Sequence, residues 1–293
     1  HPFIFFDPNK CINCGRCVAT CAEILKVSAL SFVYRGFKSV VKPAMEKPLM
    51  ETNCIACGNC VDACPTGAIR EKYPFKVLGT LPKENFETIC NFCSVGCKVN
   101  FKKINEDIFY ISNTTDEIKD SHNKGYLCTK GRFGHRYLFG KNRILNHTIR
   151  RNGIIENVNR DQTFQYVHKK LKSIIDKYGS ESVAVFGSPK LSNEELYLLQ
   201  KFARIGLKTN NISSFSNLLY RDEQNSLDEM MGFTNSTISM NDINKADVIV
   251  VLNSNLSEEN LGLELKIKEA QKKGAKLILF SSAEGRLTKY ADL

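Results

Sequence analysis

The chain of 293 residues has no tryptophan, and its residues 129 to 293 have no cysteine. Long apolar runs are missing as well. Stretches such as Ala246 to Leu252 fall far short of the roughly 20 residues that a membrane-spanning helix needs. No charged, apolar, small-residue leader opens the chain, so the expectation is an unexported, cytoplasmic protein without a membrane span. The five histidines, His1, His122, His135, His147 and His168, show no paired metal spacing, which leaves a structural role as the default for each.

What the chain does hold is cysteine: twelve, all between Cys11 and Cys128, in three tight groups. In a reducing compartment thiols stay free and serve more often as metal ligands than as cross-links. The first two groups are Cys11-Ile12-Asn13-Cys14-Gly15-Arg16-Cys17-Val18-Ala19-Thr20-Cys21 and Cys54-Ile55-Ala56-Cys57-Gly58-Asn59-Cys60-Val61-Asp62-Ala63-Cys64-Pro65. They match at Cys-Ile-x-Cys-Gly-x-Cys-Val-x-x-Cys, an internal repeat. An iron–sulfur cubane takes four soft thiolates at the corners of a tetrahedron, and one loop supplies three when they stand three positions apart. In this arrangement the fourth cysteine of each run ligates the other cluster. The expected sets are therefore Cys11, Cys14, Cys17 and Cys64 for one 4Fe–4S cluster, and Cys21, Cys54, Cys57 and Cys60 for its neighbour.

The third group is Cys90, Cys93 and Cys97, with Cys128 thirty residues on. Three close thiolates and a remote one also describe a zinc site, so zinc is the rival reading here. The cluster module immediately upstream favours a third 4Fe–4S cluster.

The formal charge of +10 invites a nucleic-acid partner, but that count takes every thiol as neutral. Three clusters of about −2 each would lower it to about +4, and the Lys and Arg residues form no run. No nucleic-acid binding is expected.

Four zones follow along the chain. Residues 1–78 carry the repeat and read as an α+β ferredoxin-like domain with two 4Fe–4S clusters; Gly79-Thr80-Leu81-Pro82-Lys83 reads as a linker. Residues 86–147 form a small β-rich 4Fe–4S domain, with alternation in Lys98 to Lys102 and Asp107 to Ile111. Residues 160–293 read as an α/β region with a parallel sheet. Its expected helices are Phe164 to Tyr178, Asn193 to Ile205 capped by Ser192, and Glu258 to Lys273 stopped by Gly274. Its expected strands are Ser182 to Phe186, Ala246 to Leu252 and Ala275 to Phe280. The chain starts without methionine and stops shortly after a strand, so this last domain is expected to be incomplete.

Cys90-Asn91-Phe92-Cys93-Ser94-Val95-Gly96-Cys97, together with Cys128-Thr129-Lys130-Gly131-Arg132, resembles the cubane domain that opens molybdopterin oxidoreductases. Joined to the ferredoxin repeat, it resembles the iron–sulfur large subunit of NAD-linked formate dehydrogenases, NADH dehydrogenases and electron-bifurcating complexes. The resemblance implies a hetero-oligomer whose partners are a flavin- and NAD(P)-binding subunit, a 2Fe–2S subunit or domain, and ferredoxin. It also implies a cofactor-side role for Lys130, between cubane and pterin.

The α/β region departs from that pattern. Where formate dehydrogenases place a cysteine or selenocysteine ligand to molybdenum and then a histidine, a few residues after Thr209-Asn210-Asn211-Ile212, this chain has Leu219 and Tyr220. The diphosphate turns of the family correspond to Asn253-Ser254-Asn255 and Ser281-Ser282-Ala283, without the arginine fork; Arg286 is near but displaced. The expected function is an electron-transfer subunit with three 4Fe–4S clusters and no catalytic residues of its own. The alternatives are a catalytic formate dehydrogenase subunit with pterin-bound molybdenum or tungsten, and a docking or assembly module with structural clusters.

Overall fold

Each half of the cysteine repeat folds as a loop closed by a left-handed glycine and a short helix. Gly15 (φ 75) precedes α1, Arg16–Ala19, and Gly58 (φ 72) precedes α2, Asn59–Ala63. In both halves a second residue is left-handed, Asn13 (φ 53) and Ala56 (φ 53), at equivalent places of the repeat. Such backbone is costly outside glycine and persists where the surroundings enforce it, here in loops that wrap a common centre.

The computed structural model describes residues 1–72, 84–105, 108–112, 121–140, 142–214, 226–232 and 236–293. The expected linker Gly79 to Lys83, and Leu219 with Tyr220, lie outside the described residues. The chain divides into two units, one made of residues 1–139 and 237–293, the other of 140–236.

In the first unit β1 (Ile4–Phe6) pairs antiparallel with β4 (Ile69–Glu71), and β2 (Leu30–Val33) with β3 (Val40–Pro43). The core that unites them contains Cys17, Cys21 and Cys57 beside Leu25, Val41 and Ile69, and it includes Phe133 and Leu261 from distant sequence. Next comes an antiparallel sheet of β5 (Glu84–Ile89), β6 (Lys98–Asn105) and β7 (Ile108–Ile111). Its core is Cys90, Val99, Ile111 and Leu127. Cys128 then caps α3, Thr129–Phe133, its sulfur accepting from Gly131 N at 3.3 Å.

Residues 237–293 complete this unit. A parallel pair, β12 (Val248–Leu252) and β13 (Lys276–Phe280), is crossed over by α6 (Leu256–Glu259) and α7 (Leu261–Lys272). The helix expected over Glu258 to Lys273 is thus two, broken at Asn260, whose φ of −143° is not helical. Gly274 (φ 111) ends it as expected. Tyr290 donates to Lys26 O at 3.3 Å and Lys124 pairs with Glu269 at 3.0 Å, tying this segment to the cysteine domains.

The second unit holds the hairpin β8 (His147–Arg151) and β9 (Ile154–Val158), then α4, Arg160–Tyr178, and α5, Asn193–Lys201. Both helices start in capping boxes, Asn159 with Gln162 and Ser192 with Glu195. A parallel pair, β10 (Val185–Gly187) and β11 (Ile212–Ser214), accompanies them. The strand expected at Ser182 to Phe186 lies later and is half open, with Phe186 58% exposed.

Candidate metal centres

The cysteine side chains lie near one another. Burial pushes the Cys17 thiol up to about 11, and the neighbouring thiols that add to this are Cys64, Cys11 and Cys14. Burial likewise raises Cys54, with Cys57 and Cys21 as its thiol neighbours. Cys21, Cys54, Cys57 and Cys60 line one small apolar cavity together with Leu25 and Val27. In the third group burial pushes Cys97 up to about 12, and Cys90, Cys93 and Cys128 add to it. A buried thiol of raised pKa ionises only when something supplies positive charge, which is what iron does on binding.

The donor set fits an iron–sulfur cluster, whose irons take soft thiolates. Backbone amides also point at the sulfurs, from Ala29 to Cys21 (3.3 Å), Ala56 to Cys54 (3.4 Å) and Ile69 to Cys64 (3.4 Å). Such bonds favour the thiolate and help set a cluster's potential.

One buried charge near these groups is Arg132. Lys130 is exposed on α3, whereas the Arg132 side chain has no exposure at all. Arg132 pairs with Asp62 and donates to Ile111 O at 2.9 Å. Its signal in the sequence was only a place in the motif after Cys128. Beside it Glu71 is 6% exposed, its Oε1 has no hydrogen-bond partner among the described residues, and Arg136 stands 3.7 Å from Oε2.

Burial raises the Glu71 carboxyl from 4.5 to about 7, against the opposing pull of Arg132 and Arg136. A raised carboxyl binds its proton more tightly when folded, so its contribution to stability is complete below 4.5 and is lost as pH rises through about 7. Glu71→Gln is expected to remove that loss. Urea unfolding of both proteins from about pH 5 to about pH 8 checks it: the gap between them should widen with pH.

At the carboxyl ends of β12 and β13, where α/β sheets bind ligands, lies a cavity of about 170 Å³. Asn253, Ser254, Asn255, Ser281 and Ser282 line it, and no Lys or Arg is among its described lining residues. Glu259 places a carboxylate there and accepts from the Ser254 hydroxyl at 2.7 Å. Arg286 is committed elsewhere: it donates to Ser257 O at 3.0 Å and to Glu264 at 2.7 Å. A diphosphate wants cations and finds an anion, so these residues do not fit the dinucleotide form of a pterin. Thr209 and Asn211 serve the second unit's own backbone, the first donating to Val183 O and the second to Glu181 O. A Cβ on Gly187 would come within 3.0 Å of Leu199, which accounts for that glycine by packing alone.

Three family descriptions match the chain: the NADH-quinone oxidoreductase subunit 3 ferredoxin-like domain over residues 1–70, the molybdopterin oxidoreductase Fe4S4 domain over 84–139, and molybdopterin oxidoreductase over 143–293. The chain belongs to the molybdopterin oxidoreductase family. Among its relatives, the NADPH-Fe(3+) oxidoreductase subunit alpha of Geobacter sulfurreducens is 34% identical over 99% of this chain and 33% of that protein. The probable oxidoreductase YjgC of Bacillus subtilis is 26% identical over 100% of this chain and 33% of its own length. A putative formate dehydrogenase of Staphylococcus aureus is 26% identical, over 99% and 33%. The chain therefore spans about a third of the length of these curated relatives. Acetylene hydratase from Pelobacter acetylenicus shares the fold, with a TM-score of 0.59 and 23% identity over 71% of this chain and 28% of that one.

Proposed function

We propose that this chain is the electron-transfer part of an NAD(P)H- and ferredoxin-linked oxidoreductase complex, of the electron-bifurcating kind. Cys11, Cys14, Cys17 and Cys64 would hold one 4Fe–4S cluster, Cys21, Cys54, Cys57 and Cys60 a second, and Cys90, Cys93, Cys97 and Cys128 a third. Bound there, the clusters supply one-electron redox chemistry. The chain's own part is to bury the thiolates, direct amides at their sulfurs and keep water away. Its partners would be a flavin- and NAD(P)-binding subunit, a 2Fe–2S subunit or domain, and ferredoxin, in a cytoplasmic hetero-oligomer. Among the described residues no helix is long and apolar enough to cross a membrane.

The observation that carries this reading is the contrast between the two kinds of site. All twelve cysteines are free thiols, while the cavity at the strand ends offers Glu259 and has Arg286 turned away from it. The test is metal analysis and EPR on the complex purified without oxygen. About twelve irons per chain are expected, with clusters reducible by NADH or by ferredoxin and neither molybdenum nor tungsten near one per chain. Molybdenum or tungsten at one per chain with formate-dependent dye reduction would establish the catalytic alternative. Clusters that neither donor can reduce would leave a docking module.

A further inference from the structure

The second cysteine loop and the Cys128 segment are fastened together by one side chain, and that side chain sits next to a proposed ligand on each side. Asn59 immediately precedes Cys60, and Leu127 immediately precedes Cys128. The Asn59 amide makes a two-point pair with the Leu127 backbone, Nδ2 donating to O at 2.9 Å and Oδ1 accepting from N at 3.0 Å. Asn59 is 3% exposed and Leu127 is 1% exposed, so water does not compete for these bonds. Thr129 adds a third bond, its hydroxyl donating to Ile55 O at 2.7 Å. Gly58 leaves the space that closes the joint: a Cβ there would fall 2.4 Å from Arg132 Cδ and 2.6 Å from Phe133 Cζ.

No other residue type of this size does the same work. Leucine has the shape without the bonds, and aspartate keeps the acceptor but loses the donor. Asn59 is also not consumed by a helix cap, since at the start of α2 its side chain reaches across 68 residues of sequence to Leu127.

We propose that Asn59 is a positioning residue that sets the electron-exchange contact between the Cys21, Cys54, Cys57, Cys60 group and the Cys90, Cys93, Cys97, Cys128 group. The proposal rests on the three-cluster reading above. Electron tunnelling weakens exponentially with separation and is better carried by bonded atoms than across a gap. The Asn59 pair gives a continuous path from the Cys60 backbone through an amide and a hydrogen bond to the Cys128 backbone. One electron given up on the Cys60 side is taken up on the Cys128 side, with no bond made or broken and no proton required.

The test is Asn59→Leu in the full chain within its complex, purified without oxygen, with Asn59→Ser, too short to bridge both Leu127 atoms, as the companion. Iron content should match the unaltered protein, whereas the second centre's own EPR signal can shift, since the Asn59 side chain also bonds to Cys57. The magnetic interaction between the second and third centres should weaken, and reduction of the third after rapid reduction of the second should slow. Iron-replete Asn59→Leu with unchanged interaction and unchanged rate overturns the inference. Where Asn59→Leu loses iron, Asn59→Ser decides: a weakened interaction at full iron supports the inference, and an unchanged one overturns it. An unaltered protein with only about eight irons would instead refute the three-cluster reading itself.

Discussion

Cys97→Ser is expected to remove the third cluster and leave the ferredoxin pair in place, so that iron falls by about a third, from about twelve to about eight per chain. Serine offers a harder oxygen that is difficult to ionise, and iron–sulfur clusters select soft thiolates. The loss should fall mainly on the third centre, although Cys128 also packs against the ferredoxin core. Cys90 lies in the core with Val99, Ile111 and Leu127, whereas Cys17, Cys21 and Cys57 lie in another. Some effect on α7 is also expected, since the Cys97 loop is pressed against it: a Cβ on Gly262 would stand 2.9 Å from Val95 and 3.8 Å from Cys97 Sγ. Iron analysis with EPR of the reduced protein reads the outcome. Retention of all iron, or collapse of all three signals, would contradict the assignment of Cys97 to a centre of its own.

The turns of the first two cysteine loops were legible in the sequence because they are local: three cysteines and a glycine within seven residues go with the turn and the short helix that follows. The capped starts of α4 and α5 and the stop at Gly274 were legible for the same reason. What the sequence hid depends on distant contacts. Arg132 is buried because Asp62, 70 residues away, and Ile111 close around it. Residues 160–293 read as one continuous domain, yet the structural division falls inside them, at 236/237. The reason is that Leu261, Glu269 and Tyr290 pack or bond with the cysteine domains, contacts that no local pattern announces. Arg286 is similar. Its displacement from the diphosphate turn was visible in sequence, but its occupation by Glu264 was not.

That occupation leads to the largest stability effect expected of the chain. Glu264 is 0% exposed on α7, with Lys268 one turn along the same helix and Arg286 reaching in from the segment after β13. Burial alone would raise its carboxyl pKa, but Lys268 and Arg286 together hold it below the ordinary range. Lys268, itself shifted down by burial, depends on the same carboxylate. Glu264→Gln keeps the size and two polar atoms while deleting the charge that both cations share. Breaking a buried ion pair from one side costs about 3–5 kcal/mol, because the partner charge stays buried without compensation. That is a large part of the roughly 5–15 kcal/mol by which domains are stable. Lys268→Met should cost much less, since Glu264 keeps Arg286 and the methionine fills the space with apolar atoms. Adding Lys268→Met to Glu264→Gln should recover part of the loss, which a double-mutant cycle on anaerobic denaturation midpoints measures directly. Equal costs for the two single variants would mean that Arg286 contributes nothing to holding Glu264. The arginine would then be free to turn toward the strand-end cavity, and the argument against a diphosphate there would fall with it.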